Sequence, residues 1–159
     1  MSETRKVRIG IIGAGGFAKT HMEQFSKLDN VEVVAAMRRN SEELANFQKT
    51  WGIPTGFTNH HEMLDMDSLD AVDIITPTDS HKQFAIDAIA AGKHVLCDKP
   101  LALKAGDCKE MLDAAEKAGV IHCTNFNQRG NTMVGRIKRY INDDFIGRIY
   151  HANLWWGMS

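Results

Sequence analysis

The chain has 159 residues, of which 43% are hydrophobic and 25% are charged, and its formal net charge is −1. This length is enough for one domain with a sizeable core and is short for a two-domain enzyme. The balanced charge and the lack of a membrane-length apolar stretch argue against nucleic-acid and membrane partners.

Short apolar strands alternate with helical segments along the chain. The residues at 7–12 form a β-branched run that predicts the first strand. Ser41 is the expected N-cap of the second helix, and Asp79 or Ser80 that of the fourth. In chain order we expect strands at 7–12, 31–37, 55–58, 71–76, 94–97, 120–125 and 148–156, and helices at 17–28, 41–49, 60–64, 79–91, 104–119 and 132–142. This alternation predicts an α/β, doubly wound parallel sheet in a three-layer αβα arrangement.

A glycine-rich turn, Gly13-Ala14-Gly15-Gly16-Phe17-Ala18, directly follows the first strand and opens the first helix. Gly13 permits a tight turn, Gly15 lets a pyrophosphate approach the backbone, and Ala18 keeps the helix close to the sheet. The helix start offers free N–H groups and a partial positive charge to phosphates. The glycines would serve equally in a plain turn, but the strand before and the helix after favour dinucleotide binding. Gly13, Gly15, Gly16, Phe17 and Ala18 are the residues expected to bind.

The second strand ends in Met37-Arg38-Arg39-Asn40-Ser41, without the carboxylate that commonly holds an NAD ribose at this point. Two guanidinium groups beside a helix start suit a 2′-phosphate dianion, because they match its charge and can bond it bidentately. The alternative is that Arg38 and Arg39 are solvated loop charges. Their placement favours NADP(H) over NAD(H), with NAD(H) as the second choice.

Several segments together resemble the Gfo/Idh/MocA oxidoreductases, the glucose–fructose oxidoreductase and inositol dehydrogenase relatives. The resemblance spans nearly the whole chain and rests on the segments 9–21, 70–81, 91–102, 125–129 and 146–149. The most characteristic segment contains Asp98-Lys99-Pro100, where the family usually has Glu-Lys-Pro. The resemblance implies the nucleotide-binding Rossmann domain of such an enzyme, transferring hydride to or from a sugar-like or polyol substrate.

The resemblance also implies roles for single residues near the adenosine side of the cofactor. Thr76, Pro77 and Thr78 would lie beneath the pyrophosphate. His81 would begin the following helix near the dinucleotide.

Other implied roles lie at the nicotinamide end. Lys99 would reach the substrate hydroxyl as the catalytic residue, and a cis peptide before Pro100 would aim it inward. Asp98 would sit near the nicotinamide ribose, with a reach one methylene shorter than glutamate, and Asn127 would contact the nicotinamide. From position alone, Lys99 is equally a surface lysine or a proton donor and acceptor at the ligand-binding edge of the sheet.

The family has a second domain that supplies the substrate pocket. We therefore expect residues 1–145 to form the dinucleotide-binding domain and 146–159 to begin the substrate domain, so that the chain alone binds cofactor but lacks full activity. A stand-alone NAD(P)(H)-binding or sensing module is the alternative, against which the retained Lys99 argues. The final strand, with Trp155 and Trp156, is expected to be poorly ordered or to pair with a second copy in a homo-oligomer.

The remaining histidines and cysteines give no sign of a metal site. His60 and His61 are adjacent, so their side chains are expected to point apart, and no third ligand follows at metal-site spacing. His21 is expected to pack or hydrogen-bond within the domain. The three cysteines, without CxxC spacing, indicate reduced thiols in the cytoplasm, and Cys97 has no evident histidine partner for nucleophilic chemistry.

Overall fold

The structure, a computed structural model, describes residues 5–155 and 157. Strands and helices alternate from the start of the chain. The strands are β1 (Val7–Ile12), β2 (Val31–Met37), β3 (Thr55–Phe57), β4 (Ala71–Ile74), β5 (His94–Asp98) and β6 (His122–Asn125). The helices are α1 (Ala18–Phe25), α2 (Ser41–Trp51), α3 (His60–Leu64), α4 (Thr78–Ala90), α5 (Ala105–Ala118) and α6 (Thr132–Asn142), with a 3₁₀ turn at Asn127–Gly130.

The six strands form one parallel sheet in the order β3-β2-β1-β4-β5-β6. The chain runs outward from β1 in one direction and then returns to β4, on the other side of β1. In doubly wound sheets, ligands bind at such a reversal, beyond the carboxyl ends of the strands. The predicted doubly wound fold is confirmed, and the reversal lies beside the glycine-rich turn.

Both faces of the sheet are buried, because successive strand residues point to opposite sides. One face packs against α3, α4 and α5, and the other against α1 and α2. The first cluster includes Ile12, Val72, Ile74, Val95, Cys97, Met63, Phe84 and Met111. The second includes Ile9, Ile11, Ala18, Met22, Ala36, Leu44 and Phe47. These two cores establish the predicted three layers.

Two predicted caps are wrong. Asn40, not Ser41, caps α2, and its side-chain oxygen accepts a hydrogen bond from the backbone of Glu43 at 3.0 Å. Helix α4 begins at Thr78, so Asp79 and Ser80 lie inside its first turn. Asn40 prevails because its backbone is extended, outside the helix, so its side-chain oxygen can reach the third helical N–H, whereas Ser41 already lies within the helix.

From Phe126 onward the chain forms a second compact unit. Its helix α6 is capped by Asn131, whose side-chain oxygen accepts from the backbone of Met133 at 2.9 Å. The predicted strand at 148–156 is wrong for its described part, since residues 148–155 form no strand. A strand needs a neighbour to complete its hydrogen bonds, and the described chain offers this segment none. Trp156 lies outside the described residues, and pairing with a second copy stays a prediction, as does the division at residue 145.

Among the described residues, every helix is too short or too polar to cross a bilayer.

Candidate dinucleotide-binding site

Gly13 makes the turn between β1 and α1, and its backbone requires glycine. Its φ of 103° is one that L side chains rarely adopt, and a Cβ atom here would lie 2.8 Å from the backbone of Ile75 and from Thr76. The N–H groups of Gly13 and Ala14 both donate to the carbonyl of Met37, at 3.0 and 3.1 Å. The turn is therefore fixed against both neighbouring strands, β2 and β4.

The start of α1 is open toward the same edge. Within the described chain, no side chain caps this helix, whose N-cap residue is Phe17, half-exposed at 51%. A Cβ at Gly16 would meet nothing within 4 Å, and one at Gly15 would meet its nearest atom, in Arg38, at 3.7 Å. Ala18 is fully buried against the sheet. The free N–H groups and the space above the two glycines fit a pyrophosphate.

Arg38 follows β2 and leans over the glycine turn. Its guanidinium donates to the carbonyl of Ala14 at 2.7 Å and forms an ion pair with Glu43, in the first turn of α2. Sequence reasoning found no carboxylate near the end of β2 and so missed Glu43. The pattern Asn40-x-x-Glu43, a helix cap followed by an acidic third position, was the available signal. Arg39 is exposed beside Arg38.

Two clefts meet at Arg38. One of about 440 Å³ is lined by Gly13, Arg38, Arg39, Thr76, Pro77 and Ser80, among others. The other, of about 270 Å³, is lined by residues that include Gly15, Gly16, Lys19, Arg38 and Glu43. The arginines predicted to bind the 2′-phosphate and the glycines predicted to bind the pyrophosphate therefore line adjoining clefts.

The segment after β4 forms the other wall. Thr76 and Pro77 lie between the strand and α4, which begins with Thr78. His81 is 1% exposed, and its ring nitrogens lie 2.8 Å from the carbonyl of Thr76 and 3.0 Å from that of Pro100. Each ring nitrogen of His81 thus lies within hydrogen-bond distance of one carbonyl. The structure gives His81 a bracing role between two loops, and its contact with a dinucleotide stays a prediction.

Lys99 follows β5 at the same carboxyl edge. It is exposed, and the Lys99–Pro100 peptide is cis, as the resemblance implied. Asp98 is partly buried at the end of β5. Cys97 points to the opposite face and is fully buried. Burial first, and then the negative charges of Asp73 and Asp98, raise the pKa of its thiol to about 12, which rules out a ready nucleophile.

A buried polar chain supports this edge from the α1 side of the sheet. His21 Nδ1 lies 2.7 Å from Asp73 Oδ2, and Asn125 at the end of β6 lies 3.3 Å from His21 Nε2. Burial disfavours charge on His21, but the hydrogen bond and charge of Asp73 outweigh it, so the pKa of His21 is raised. The prediction that His21 bonds within the domain is confirmed. Its partners, in β4 and β6, are far apart in sequence and carried no local signal.

Asn127 opens the 3₁₀ turn of the second unit and is exposed. The predicted contact of Asn127 with a nicotinamide stays a prediction.

The fold, the glycine turn and the open start of α1 define a dinucleotide-binding Rossmann domain. A family model described as the oxidoreductase family with an NAD-binding Rossmann fold matches residues 7–126, and the chain belongs to this family, Gfo/Idh/MocA.

The relatives include sugar and polyol dehydrogenases. Glucose-6-phosphate 3-dehydrogenase of Bacillus subtilis is 34% identical over 89% of this chain and 40% of its own length. The WlbA dehydrogenase of Bordetella pertussis, solved in complex with NADH and UDP-GlcNAcA, has a TM-score of 0.87 at 32% identity, over 92% of this chain and 42% of that one. The scyllo-inositol dehydrogenase of Lactobacillus casei, solved with NAD(H) and scyllo-inositol, has a TM-score of 0.84 at 26% identity, over 90% and 43% of the two chains. The chain thus spans about two fifths of the length of these relatives.

Proposed function

We propose that this chain is the cofactor-binding half of an NADP(H)-dependent oxidoreductase that moves hydride between nicotinamide and a hydroxyl or carbonyl of a sugar-like or polyol substrate. One observation carries the proposal: the glycine turn after β1 and Lys99 after β5 flank β4 at the same carboxyl edge of a parallel sheet. A dinucleotide bound across that edge would have its phosphates at the turn and its far end toward Lys99.

The chemistry assigned to Lys99 is proton handling. Bound nicotinamide would accept or supply the hydride. Lys99 Nζ would donate a hydrogen bond to a carbonyl oxygen as it is reduced, or take the proton of a hydroxyl as it is oxidised. Its exposure leaves it accessible to a substrate at the sheet edge. The relatives support the substrate class, since one is a glucose-6-phosphate 3-dehydrogenase and another was solved with scyllo-inositol bound.

Arg38 and Arg39, which line the wider cleft, favour NADP(H) because their guanidinium groups match the charge of a 2′-phosphate. Arg38 is held in place by the carbonyl of Ala14, so it meets a 2′-phosphate without first being ordered. Glu43 opposes this preference, because its carboxylate would lie near the phosphate and competes for the same guanidinium. In the NAD(H) alternative, Glu43 would instead accept hydrogen bonds from the ribose hydroxyls.

Titration of the purified chain with NADPH and NADH tests the cofactor assignment. We expect NADPH to bind more tightly, and Arg38→Ala to reduce the NADPH-to-NADH affinity ratio by roughly 10- to 100-fold, the equivalent of one charge-assisted contact. Arg136→Ala, at another exposed arginine, is the matched control and leaves the ratio unchanged.

Glu43→Gln separates the two cofactor readings. If a 2′-phosphate binds at Arg38, loss of the competing carboxylate strengthens NADPH binding and leaves NADH nearly unaffected. If Glu43 instead holds the ribose of NAD(H), Glu43→Gln weakens NADH binding. That result, together with tighter binding of NADH than of NADPH by the unaltered chain, would overturn the NADP(H) assignment.

The three cysteines are all free thiols. Free thiols fit a reducing compartment, and we propose that the protein acts in the cytoplasm.

A further inference from the structure

A second cluster of ligand-type side chains lies between α3 and α4. His60 Nε2 is 2.8 Å from Asp87 Oδ2, and His61 Nε2 is 3.9 Å from the same oxygen. One ligand atom from each of the three residues lies within 4.8 Å of the other two. The sequence predicted that the adjacent histidines point apart, but their rings overlap, with centroids 3.9 Å apart and planes inclined by 38°. The third ligand comes from α4, where sequence spacing could not reveal it.

Neighbouring groups hold two of the three side chains in place. The His60 ring packs edge-on against Phe84, with centroids 4.7 Å apart, and the side chains of His60 and Asp87 are 14% and 17% exposed. Gln83 donates to the other oxygen of Asp87, Oδ1, at 2.8 Å. This bond leaves Oδ2 directed at the histidines. A supported carboxylate of this kind is typical of metal sites, where outer hydrogen bonds orient the ligands.

We propose that His60, His61 and Asp87 bind a divalent transition-metal cation such as Zn²⁺. Two imidazoles and one carboxylate are a common zinc ligand set, with bonds of about 2.0–2.2 Å. A tetrahedral centre with such bonds holds its ligand atoms roughly 3.3–3.5 Å apart. The 2.8 Å contact must therefore open, and the 3.9 Å contact close, by about half an ångström each, and the ligand atoms of the two imidazoles, which lie within 4.8 Å of each other, must reach the same spacing.

The fourth position would be open to solvent. The side chain of His61 is 63% exposed, so water can approach the ion from that side. None of the three ligands is among the residues that line the two clefts at the glycine turn. Phe84, which packs against His60, does line the wider cleft, so the two sites adjoin, but replacing a metal ligand removes no residue of the nucleotide site.

Calorimetric titration of the purified chain with Zn²⁺ tests the proposal. We expect one ion per chain, with the affinity reduced at least about 10-fold by His60→Gln, by His61→Gln or by Asp87→Asn. Gln83→Ala, which removes only the supporting hydrogen bond, should reduce it by about 10- to 100-fold while keeping the stoichiometry.

Two control variants each remove a side chain of a type that can bind zinc but that lies outside the cluster. His151→Gln and Cys123→Ser, both at exposed positions, should leave the affinity unchanged. If the other variants unfold, the Zn²⁺ affinity of His61→Gln tests the proposal, because His61 is largely exposed and its loss is the least harmful to folding. The proposal is overturned if no ion binds, or if folded His61→Gln and Asp87→Asn chains, checked by circular dichroism, bind Zn²⁺ as the unaltered chain does.

Discussion

The buried pair of His21 and Asp73 offers a direct test of how the carboxyl edge is supported. Asp73 is fully buried in β4, and His21 is 7% exposed in α1. Replacing His21 with leucine removes the hydrogen-bond partner but keeps an apolar side chain between Phe17 and Phe25, whose rings contact His21 edge-on. Asp73 is then left as a carboxyl group without a partner in an apolar surrounding, which is the costly arrangement.

The expected magnitude follows from that burial. Breaking a buried ion pair by removing one partner destabilises a protein by about 3–5 kcal/mol, because the remaining charge is uncompensated. Loss of the contact between His21 and Asn125 adds little, since its 3.3 Å length marks a weak hydrogen bond. At a urea dependence of about 2 kcal/mol per M, the unfolding midpoint of His21→Leu should fall by roughly 2 M.

Equilibrium urea unfolding of four chains completes the test: the unaltered chain, His21→Leu, Asp73→Val and the double variant. The double variant should be more stable than His21→Leu alone, because it removes the orphaned carboxyl group along with its partner. Strictly additive losses, or a His21→Leu midpoint within error of the unaltered chain, would refute the reasoning.

Three further predictions concern the same domain. The pKa of His21 is raised because the hydrogen bond and charge of Asp73 outweigh burial, and the pKa of Asp73 is raised by burial, so the folded pair holds protons more tightly than the unfolded chain. The free energy of unfolding, measured by urea unfolding, should therefore fall as the pH rises from about 4 for Asp73 and from about 6.5 for His21, and the double variant His21→Leu/Asp73→Val, which removes both groups, should lack this contribution. Gly13→Ala should lower stability by about 1–3 kcal/mol, because it combines a positive φ with backbone contact, whereas Gly16→Ala, with open space around it, should fold normally in thermal melts and lose nucleotide affinity. In a thiol-labelling time course, exposed Cys123 should react while buried Cys97 stays unlabelled until the chain unfolds; rapid labelling of Cys97 in the folded chain would contradict its burial.

The sheet and the glycine turn were predictable because their signals are local. A β-branched run followed directly by Gly13 and Gly15 predicts a strand, a tight turn and a phosphate-facing helix start. Periodicity and glycine positions also gave the helices, including α6 with its predicted bounds. The cap of α2 was misassigned because Asn40 and Ser41 are both good capping residues, and only the backbone angles of Asn40 decide between them.

The parts that sequence reasoning missed depend on contacts across the fold. Glu43 reaches Arg38 only once β2 and α2 have set their angle, and Asp87 meets His60 only when α3 packs beside α4. The final segment reads as a strand by its aromatic residues, yet a strand exists only where a neighbour completes its hydrogen bonds. Propensity alone therefore predicted a strand that residues 148–155 do not form.

The central claim is that a dinucleotide lies across the carboxyl edge of this sheet, from Arg38 to Lys99. A crystal structure of the chain soaked with NADP⁺ tests it most directly. We predict the pyrophosphate over Gly13 and Gly15 at the start of α1, the 2′-phosphate within hydrogen-bond distance of Arg38, and the nicotinamide directed toward Lys99. A dinucleotide bound elsewhere, or one bound in the reverse direction with its nicotinamide at Arg38, would contradict the account.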